Sequence, residues 1–225
     1  VYDEIRLTDD LPRGWTDEQS GGSYRLKRHD DDAWFGFVVG PHSWKRYLFP
    51  PRVTVAQADR TEAGWQMGDV PDDAPPYAFL GVRACELAAL AVQDRTFMHD
   101  RYVDPIYRRR REQALIIAMN CTQAASTCFC TSMNTGPRCT ASFDLALTEL
   151  RHGFTVEVGS SRGADIVSQL PTAATTPRDL LQAESARQQA VDQITKRLDT
   201  RGIRELLLGN LEHPRWSEVA TRCLS

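Results

Sequence analysis

The stretch Tyr77-Ala78-Phe79-Leu80-Gly81-Val82-Arg83-Ala84-Cys85-Glu86-Leu87-Ala88-Ala89-Leu90-Ala91-Val92 decides the fold. Its first six residues form an apolar run of strand length, and from Cys85 onward apolar residues recur at helical spacing among strong helix formers. The order is strand, tight turn, helix, with Cys85 at the turn. A second helical piece spans 104–112 and leads into Ala114-Leu115-Ile116-Ile117-Ala118-Met119, a continuous apolar run typical of a strand covered on both faces. Two strands flanking helices in this way predict a right-handed β-α-β unit, whose ligand crevice lies beyond the strands' C-terminal ends. Cys85 and Cys121 both fall at that edge.

Upstream, Trp34-Phe35-Gly36-Phe37-Val38-Val39 and Arg52-Val53-Thr54-Val55-Ala56 are rich in aromatic and β-branched residues and are broken by Gly40-Pro41 and Pro50-Pro51. They read as antiparallel strands. A polar, proline-rich passage at 69–76 reads as a surface loop. Downstream, 121–142 is a polar loop containing cysteine and glycine, and a loop this long in a compact domain usually has a function. Phe143-Asp144-Leu145-Ala146-Leu147-Thr148-Glu149-Leu150, Arg151-His152-Gly153 and Phe154-Thr155-Val156-Glu157-Val158 read as a β-hairpin. From Thr176-Pro177-Arg178-Asp179 onward, Leu180, Ala183, Ala186, Ala190, Ile194 and Leu198 keep helical spacing, and two shorter helices are expected to end at Cys223. The predicted class is α/β (mixed α+β): N-terminal antiparallel strands, a central β-α-β core, a hairpin and C-terminal helices. Residues 1–170 are expected to form the cysteine-bearing domain and 171–225 a helical segment, with 171–177 as a linker.

Bulk properties narrow the function classes. With 225 residues the chain can bury a full core without staples. Lys+Arg 27 against Asp+Glu 30 gives a net charge of −3, which attracts neither nucleic acid nor an anionic membrane face. No basic stretch followed by an apolar run opens the sequence, and no apolar window of about 18 residues occurs, so membrane insertion is not expected. The first residue is not Met, and Thr221-Arg222-Cys223-Leu224-Ser225 lacks a helix stop, so both ends read as cuts within a longer chain. A cytoplasmic, reducing location is expected, where cysteines stay free or bind metal.

The six cysteines are Cys85, Cys121, Cys128, Cys130, Cys139 and Cys223. Cys121, Cys128 and Cys130 are spaced C-x6-C-x-C. A C-x-C pair can place both sulfurs on one centre, whereas a bond between them would close a strained ring. Thiolates converging from a strand end and one loop suit zinc or an iron-sulfur cluster, and ordinary reduced thiols carry about equal weight from spacing alone. Cys85, at a helix N-terminus, is also expected to have a lowered pKa. The five histidines, His29, His42, His99, His152 and His213, are scattered and read as surface or capping residues. Thr131-Ser132-Met133-Asn134-Thr135-Gly136-Pro137 reads equally as a plain turn or as a donor of NH groups to an anion. Arg108-Arg109-Arg110-Arg111 reads as a solvated helix face, with docking to an acidic partner or a nucleotide phosphate as the alternative. Trp34, Trp44 and Trp65 read as core and sheet-surface aromatics.

Phe79 through Ala89, Asn120-Cys121, Cys128-Phe129-Cys130-Thr131-Ser132-Met133, Thr135-Gly136-Pro137 and Phe143 through Glu149, in that order, resemble one family. It comprises electron-transfer subunits with a C-terminal pair of four-iron clusters: the beta subunit of sulfhydrogenases and the iron-sulfur electron-transfer subunit of anaerobic sulfite reductase. The tail His213 through Ser225 is similar to the segment that runs into the ferredoxin cysteines of that family. The resemblance covers roughly 77–160 and 213–225. It departs at Ala84, Glu86 and Asn134, where the family more often has Pro, Asp and Gly.

The resemblance implies that Cys85, Cys121, Cys128 and Cys130 hold a [4Fe-4S] cluster. It also implies that Cys223 is the first ligand of a further cluster and that Cys139 is a spare thiol. The implied function is electron relay to or from a catalytic hydrogenase or sulfur/sulfite reductase partner, with flavin possible in the complex and catalytic and flavin-bearing subunits as partners. Two other readings stand beside it: a cluster-free scaffold that docks a ferredoxin domain, and a flavin- or nucleotide-binding reductase domain. The second lacks any G-x-G-x-x-G or G-x-x-x-x-G-K-[ST] pattern.

Overall fold

A computed structural model describes residues 3–20, 22–40, 43–68 and 74–222. Its centre is a four-stranded sheet in the order β5-β6-β7-β8, formed by β5 (Ala78–Arg83), β6 (Leu115–Met119), β7 (Leu145–Leu150) and β8 (Gly153–Val158). β5, β6 and β7 run parallel, and β8 returns antiparallel through a tight turn at 151–152. Between β5 and β6 lie α2 (Ala84–Met98) and α3 (Pro105–Gln113), the helical crossover expected of a parallel pair. Between β6 and β7 there is no α-helix. The crossover there is the cysteine loop itself, with a single 3₁₀ turn at Cys130–Met133.

Leu87 and Leu90 of α2, Tyr107 of α3, Phe79 and Val82 of β5, Ile116 and Ala118 of β6 and Ala146 of β7 close one apolar core. Trp44 and Leu48, at the single helical turn α1 (Lys45–Leu48), complete it. Tyr107 donates its hydroxyl to Asp94 at 2.7 Å, and Arg111 pairs with the same carboxylate at 3.1 Å, which locks α3 to α2. Arg110 donates to the Tyr47 carbonyl at 2.8 Å. Of the arginine run, therefore, only Arg108 and Arg109 lie on a solvated face, while Arg110 and Arg111 turn inward. Trp44 is a core residue, Trp34 is half-buried and Trp65 lies exposed on a surface hairpin.

The N-terminal third differs from the expected strands. The hairpins are β1 (Trp15–Ser20) with β2 (Ser23–Arg28), and β3 (Gln57–Thr61) with β4 (Gly64–Gly68). Neither 34–39 nor 52–56 is a strand. Residues 34–39 are composed like a strand, but their backbone groups bond to side chains instead of a ladder. The amides of Trp34 and Phe35 donate to the Glu149 carboxylate at 2.7 and 2.9 Å, and that of Val38 donates to Asp17 at 2.7 Å. The carbonyls of Phe35 and Phe37 accept from Arg83, and that of Val39 accepts from Gln19. Every one of these partners lies far away in sequence, so local propensity could not reveal them. The segment seats Phe35 against Gly81, whose φ of +89° and register shift in β5 leave 3.2 Å between a would-be Cβ and the ring.

Beyond the sheet, α4 (Ser161–Ser168) follows β8, a short helix in addition to those expected from the sequence. α5 (Pro177–Gln193) starts with the capping box of Thr176 and Asp179 and with Pro177 at its first position. It packs on β7 and β8 through buried Ala183 and Ala190. It ends before Ile194, and α6 (Ile203–Leu208) and α7 (Arg215–Ala220) follow as short exposed helices. Cys223 lies outside the described residues. Among the described residues no helix is long and apolar enough to cross a membrane.

Candidate functional site

All five described cysteines are free thiols: Cys85, Cys121, Cys128 and Cys130 are half-buried and Cys139 is buried. Cys85 is the second residue of α2, directly past β5, and Cys121 follows β6, so the two neighbouring parallel strands deliver both thiols to the same sheet edge. The crossover loop brings Cys128 and Cys130 to that edge. Each thiol of the four lies within electrostatic reach of others in the set: Cys121, Cys130 and Cys128 all act on Cys85, and Cys121 and Cys128 act on Cys130. Among the described residues, no three His, Cys, Asp or Glu side chains already stand around a point that a single metal ion could occupy. The thiols thus share a neighbourhood and not a common point.

The loop is clamped from two sides. On one, Gln123 donates to Thr16 Oγ1 at 3.1 Å and to the Gly36 carbonyl, and Thr127 donates to Gln19 at 2.8 Å, which ties the loop to β1 and the 34–39 segment. On the other, the Ala124 amide donates to Gln193 at 2.7 Å, Arg197 donates to Thr131 Oγ1 at 2.9 Å and the Leu198 amide donates to Ser132 Oγ at 3.0 Å. Within the loop, Asn134 takes the left-handed conformation at φ 55°, which Asn tolerates better than most residues, and it terminates the Cys130–Met133 turn. Gly136 sits against Cys130: a Cβ there would lie 3.3 Å from its sulfur and 3.1 Å from the Ala84 Cβ.

Two buried polar residues that the cysteine spacing does not point to organise this edge. Asn120, fully buried, accepts from the Cys139 amide at 2.7 Å and donates to Thr148 at 2.9 Å, so it pins both ends of the loop to β7. Arg83, 3% exposed, donates to the carbonyls of Phe35 and Phe37. Both sit where an apolar strand meets a cysteine. A polar residue interrupting such a junction was the signal available.

Burial raises the pKa of Cys85, Cys121, Cys130 and Cys139. Burial, reinforced by the neighbouring thiols and Glu86, pushes Cys85 up to about 12, and burial with Cys121 and Cys128 pushes Cys130 up to about 11. Cys139 also rises to about 12 through burial, and Cys121 is raised by burial against the opposing pull of Arg83. The lowered pKa expected of Cys85 at a helix N-terminus is overturned: loss of solvation outweighs the helix dipole, worth only about 0.3–1 kcal/mol at an exposed end. Cys85 is therefore far less ionised at neutral pH than an ordinary cysteine. At pH 8, site-resolved mass spectrometry after a brief iodoacetamide pulse is expected to find Cys85 and Cys139 almost unlabelled until urea unfolds the chain. Labelling of the folded protein at the unfolded rate would contradict this burial. A bound iron centre reverses the balance, because a coordinated thiol is deprotonated outright.

A cavity of about 760 Å³ lies beside the site, lined by aromatic rings including Trp15, Phe37, Tyr47 and Tyr77, with Arg83 and Glu86 toward the cysteines. The other charged lining residues are Asp3, Glu4 and Asp10, which suit neither a phosphate nor a nucleotide.

No protein-family model matches the chain, and neither does any solved structure. The chain is 26% identical over 182 residues to sulfhydrogenase 2 subunit beta of Pyrococcus furiosus. The alignment takes in 80% of this chain and 52% of the relative, so the chain spans about half the length of the curated relative it matches. A likeness at this level supports kinship with hydrogenase beta subunits.

Proposed function

We propose that this chain is an iron-sulfur electron-transfer module of a hydrogenase-like redox complex, with Cys85, Cys121, Cys128 and Cys130 holding a [4Fe-4S] cluster. The observation that carries the proposal is the delivery of four thiols to one sheet edge by the ends of β5 and β6 and by the loop between β6 and β7. The donor set fits the group: soft sulfur ligands, half-buried, grouped at one sheet edge. A cubane takes its ligands at separate corners, which suits thiols grouped around a volume. When bound, the cluster supplies one-electron transfer. The chain's own residues hold the sulfurs in the doubly clamped loop and make no substrate bonds.

In this reading residues 1–170 are the cluster-bearing unit, and 171–225 lead toward a ferredoxin-type region in which Cys223 is the first ligand. The partners are the catalytic component of the complex and, if the complex uses flavin, the component that carries it. The setting is a reducing, cytoplasmic one. A scaffold without a cluster is the second reading, favoured by the lack of a preformed three-ligand point among the described residues.

One experiment separates the two. After anaerobic reconstitution and desalting, the wild type is expected to carry about four irons and four sulfides per chain, with visible absorption. Cys128→Ala and Cys130→Ala are expected to lose most of both. A folded, colourless wild type, or variants that retain full iron, would decide for the scaffold.

A further inference from the structure

The cavity beside the cysteine edge is lined by no cysteine, and its walls specify a guest of their own. At about 760 Å³ it has the size of a small-molecule site. Four separate parts of the chain wall it with rings: Trp15 and Tyr24 from the β1-β2 hairpin, Phe37 from the 34–39 segment, Tyr47 from α1, and Tyr77 and Phe79 from the entry to β5. The last three form a connected wall, with ring centroids 5.3 Å apart for Tyr47 and Tyr77, 6.0 Å for Tyr47 and Phe79 and 5.8 Å for Tyr77 and Phe79. A wall of this kind offers flat faces and edges against which another flat ring packs.

The charged lining residues define what the guest is not. Asp3, Glu4 and Asp10 are exposed, and the Asp10 carboxylate is already engaged by the amides of Arg6 and Leu7 at 2.8 and 2.9 Å. Of the buried pair, the Arg83 guanidinium donates to the carbonyls of Phe35 and Phe37, and Glu86 accepts from the Arg83 amide at 2.9 Å. A charged guest would leave water without gaining a buried counter-charge, an unfavourable exchange. Two polar groups remain. Tyr24 and Tyr77 line the cavity, and neither hydroxyl has a hydrogen-bond partner among the described residues, whereas that of Tyr47 accepts from Arg46 at 2.7 Å. A phenol hydroxyl without a partner can donate to an acceptor on a guest.

We propose that this cavity binds an uncharged, flat aromatic molecule bearing a carbonyl group, packed on the wall of Tyr47, Tyr77 and Phe79 and hydrogen-bonded by the hydroxyls of Tyr24 and Tyr77. The rings supply apolar contact over both faces of the guest, and the hydroxyls give it one orientation. The site is separate from the thiols, so the inference does not rest on the cluster reading.

The test uses the full chain and 2-acetylnaphthalene as the probe, titrated by ligand-observed nuclear magnetic resonance before and after anaerobic reconstitution. One saturable site per chain is expected, with a Kd of about 100 µM that does not depend on iron. The anionic 2-naphthoate and the cationic 2-naphthyltrimethylammonium are expected to bind about tenfold more weakly, or less. Replacing both phenols, Tyr24→Phe with Tyr77→Phe, is expected to weaken the probe about fivefold and to leave naphthalene, which has no acceptor, unaffected. Ala78→Trp, at an exposed lining position, is expected to abolish binding with an unchanged far-ultraviolet circular dichroism spectrum. No saturable binding, equal binding of the charged analogues, or full affinity in either variant would overturn the inference. Should the variants fail to fold, the unaltered chain with isotope-labelled tyrosine rings still answers: nuclear Overhauser contacts from the bound probe to Tyr24 and Tyr77 are expected, and their absence overturns it. A chain that binds the probe but takes up no iron counts against the cluster reading alone.

Discussion

Asp144→Ala is expected to cost about 3 kcal/mol of folding stability, seen as a lower urea midpoint with little change in slope. Asp144 enters β7 almost buried, and its carboxylate joins three elements. One oxygen accepts from the Ile116 amide on β6 at 2.8 Å, and the other accepts from the Ser160 hydroxyl at 2.5 Å. Ser160 in turn caps α4 by accepting from the Gly163 amide at 3.1 Å. The main chain repeats the link, with the Asp144 amide donating to the Ile116 carbonyl and its carbonyl accepting from Gly159.

Removing the carboxylate strands the Ile116 amide in a core position that is 1% exposed, where an unmet donor costs roughly 1–3 kcal/mol. It also frees the Ser160 cap, worth about 1 kcal/mol. Asp144→Asn keeps one acceptor in place and is expected to lose less than half as much. An Asp144→Ala protein with the wild-type midpoint would mean that water replaces the carboxylate at no cost.

The contrast between the two halves of the chain shows what patterning can reveal. β5, β6 and the β7-β8 hairpin were legible because each buries one face or both against the core, and α2 because it is built of strong helix formers. The 34–39 segment has a strand's composition, but its backbone is satisfied by Glu149, Asp17, Arg83 and Gln19, partners that only the tertiary fold supplies. The end of α5 was overread for a related reason. Ile194 and Leu198 keep helical spacing, yet the chain leaves the helix at Ile194, and Arg197 and Leu198 reach Thr131 and Ser132 on the cysteine loop.

At the site, the grouping of cysteines could be suspected from strand ends and loop spacing. The raised pKa of Cys85, Cys121, Cys130 and Cys139 could not, because it depends on burial that only the tertiary fold supplies. Asn120 and Arg83 were passed over because a polar residue after an apolar strand is ordinarily an exposed one, and only their burial marks them as part of the cysteine edge.

Gly136→Val is expected to abolish iron loading while leaving the fold in place. The residue lies where the cysteine loop crosses the start of α2. Even a single Cβ would sit 3.1 Å from the Ala84 Cβ and 3.3 Å from the Cys130 sulfur, tighter than ordinary contact. Ala84 belongs to the core and to the helix that carries Cys85, so it cannot give way, and the displacement falls on Cys130. Overpacking of this kind costs about 1–3 kcal/mol, which a domain of this size withstands, whereas a ligand set needs its sulfurs placed to within about 0.5 Å. Gly136→Ala, with one methyl to accommodate, is expected to retain part of the iron. The readouts are iron per chain and visible absorption after anaerobic reconstitution, beside far-ultraviolet circular dichroism as a check on folding. A Gly136→Val protein that loads as much iron as the wild type would place Cys130 outside the ligand set, because no cluster ligand at that position could survive the displacement unnoticed.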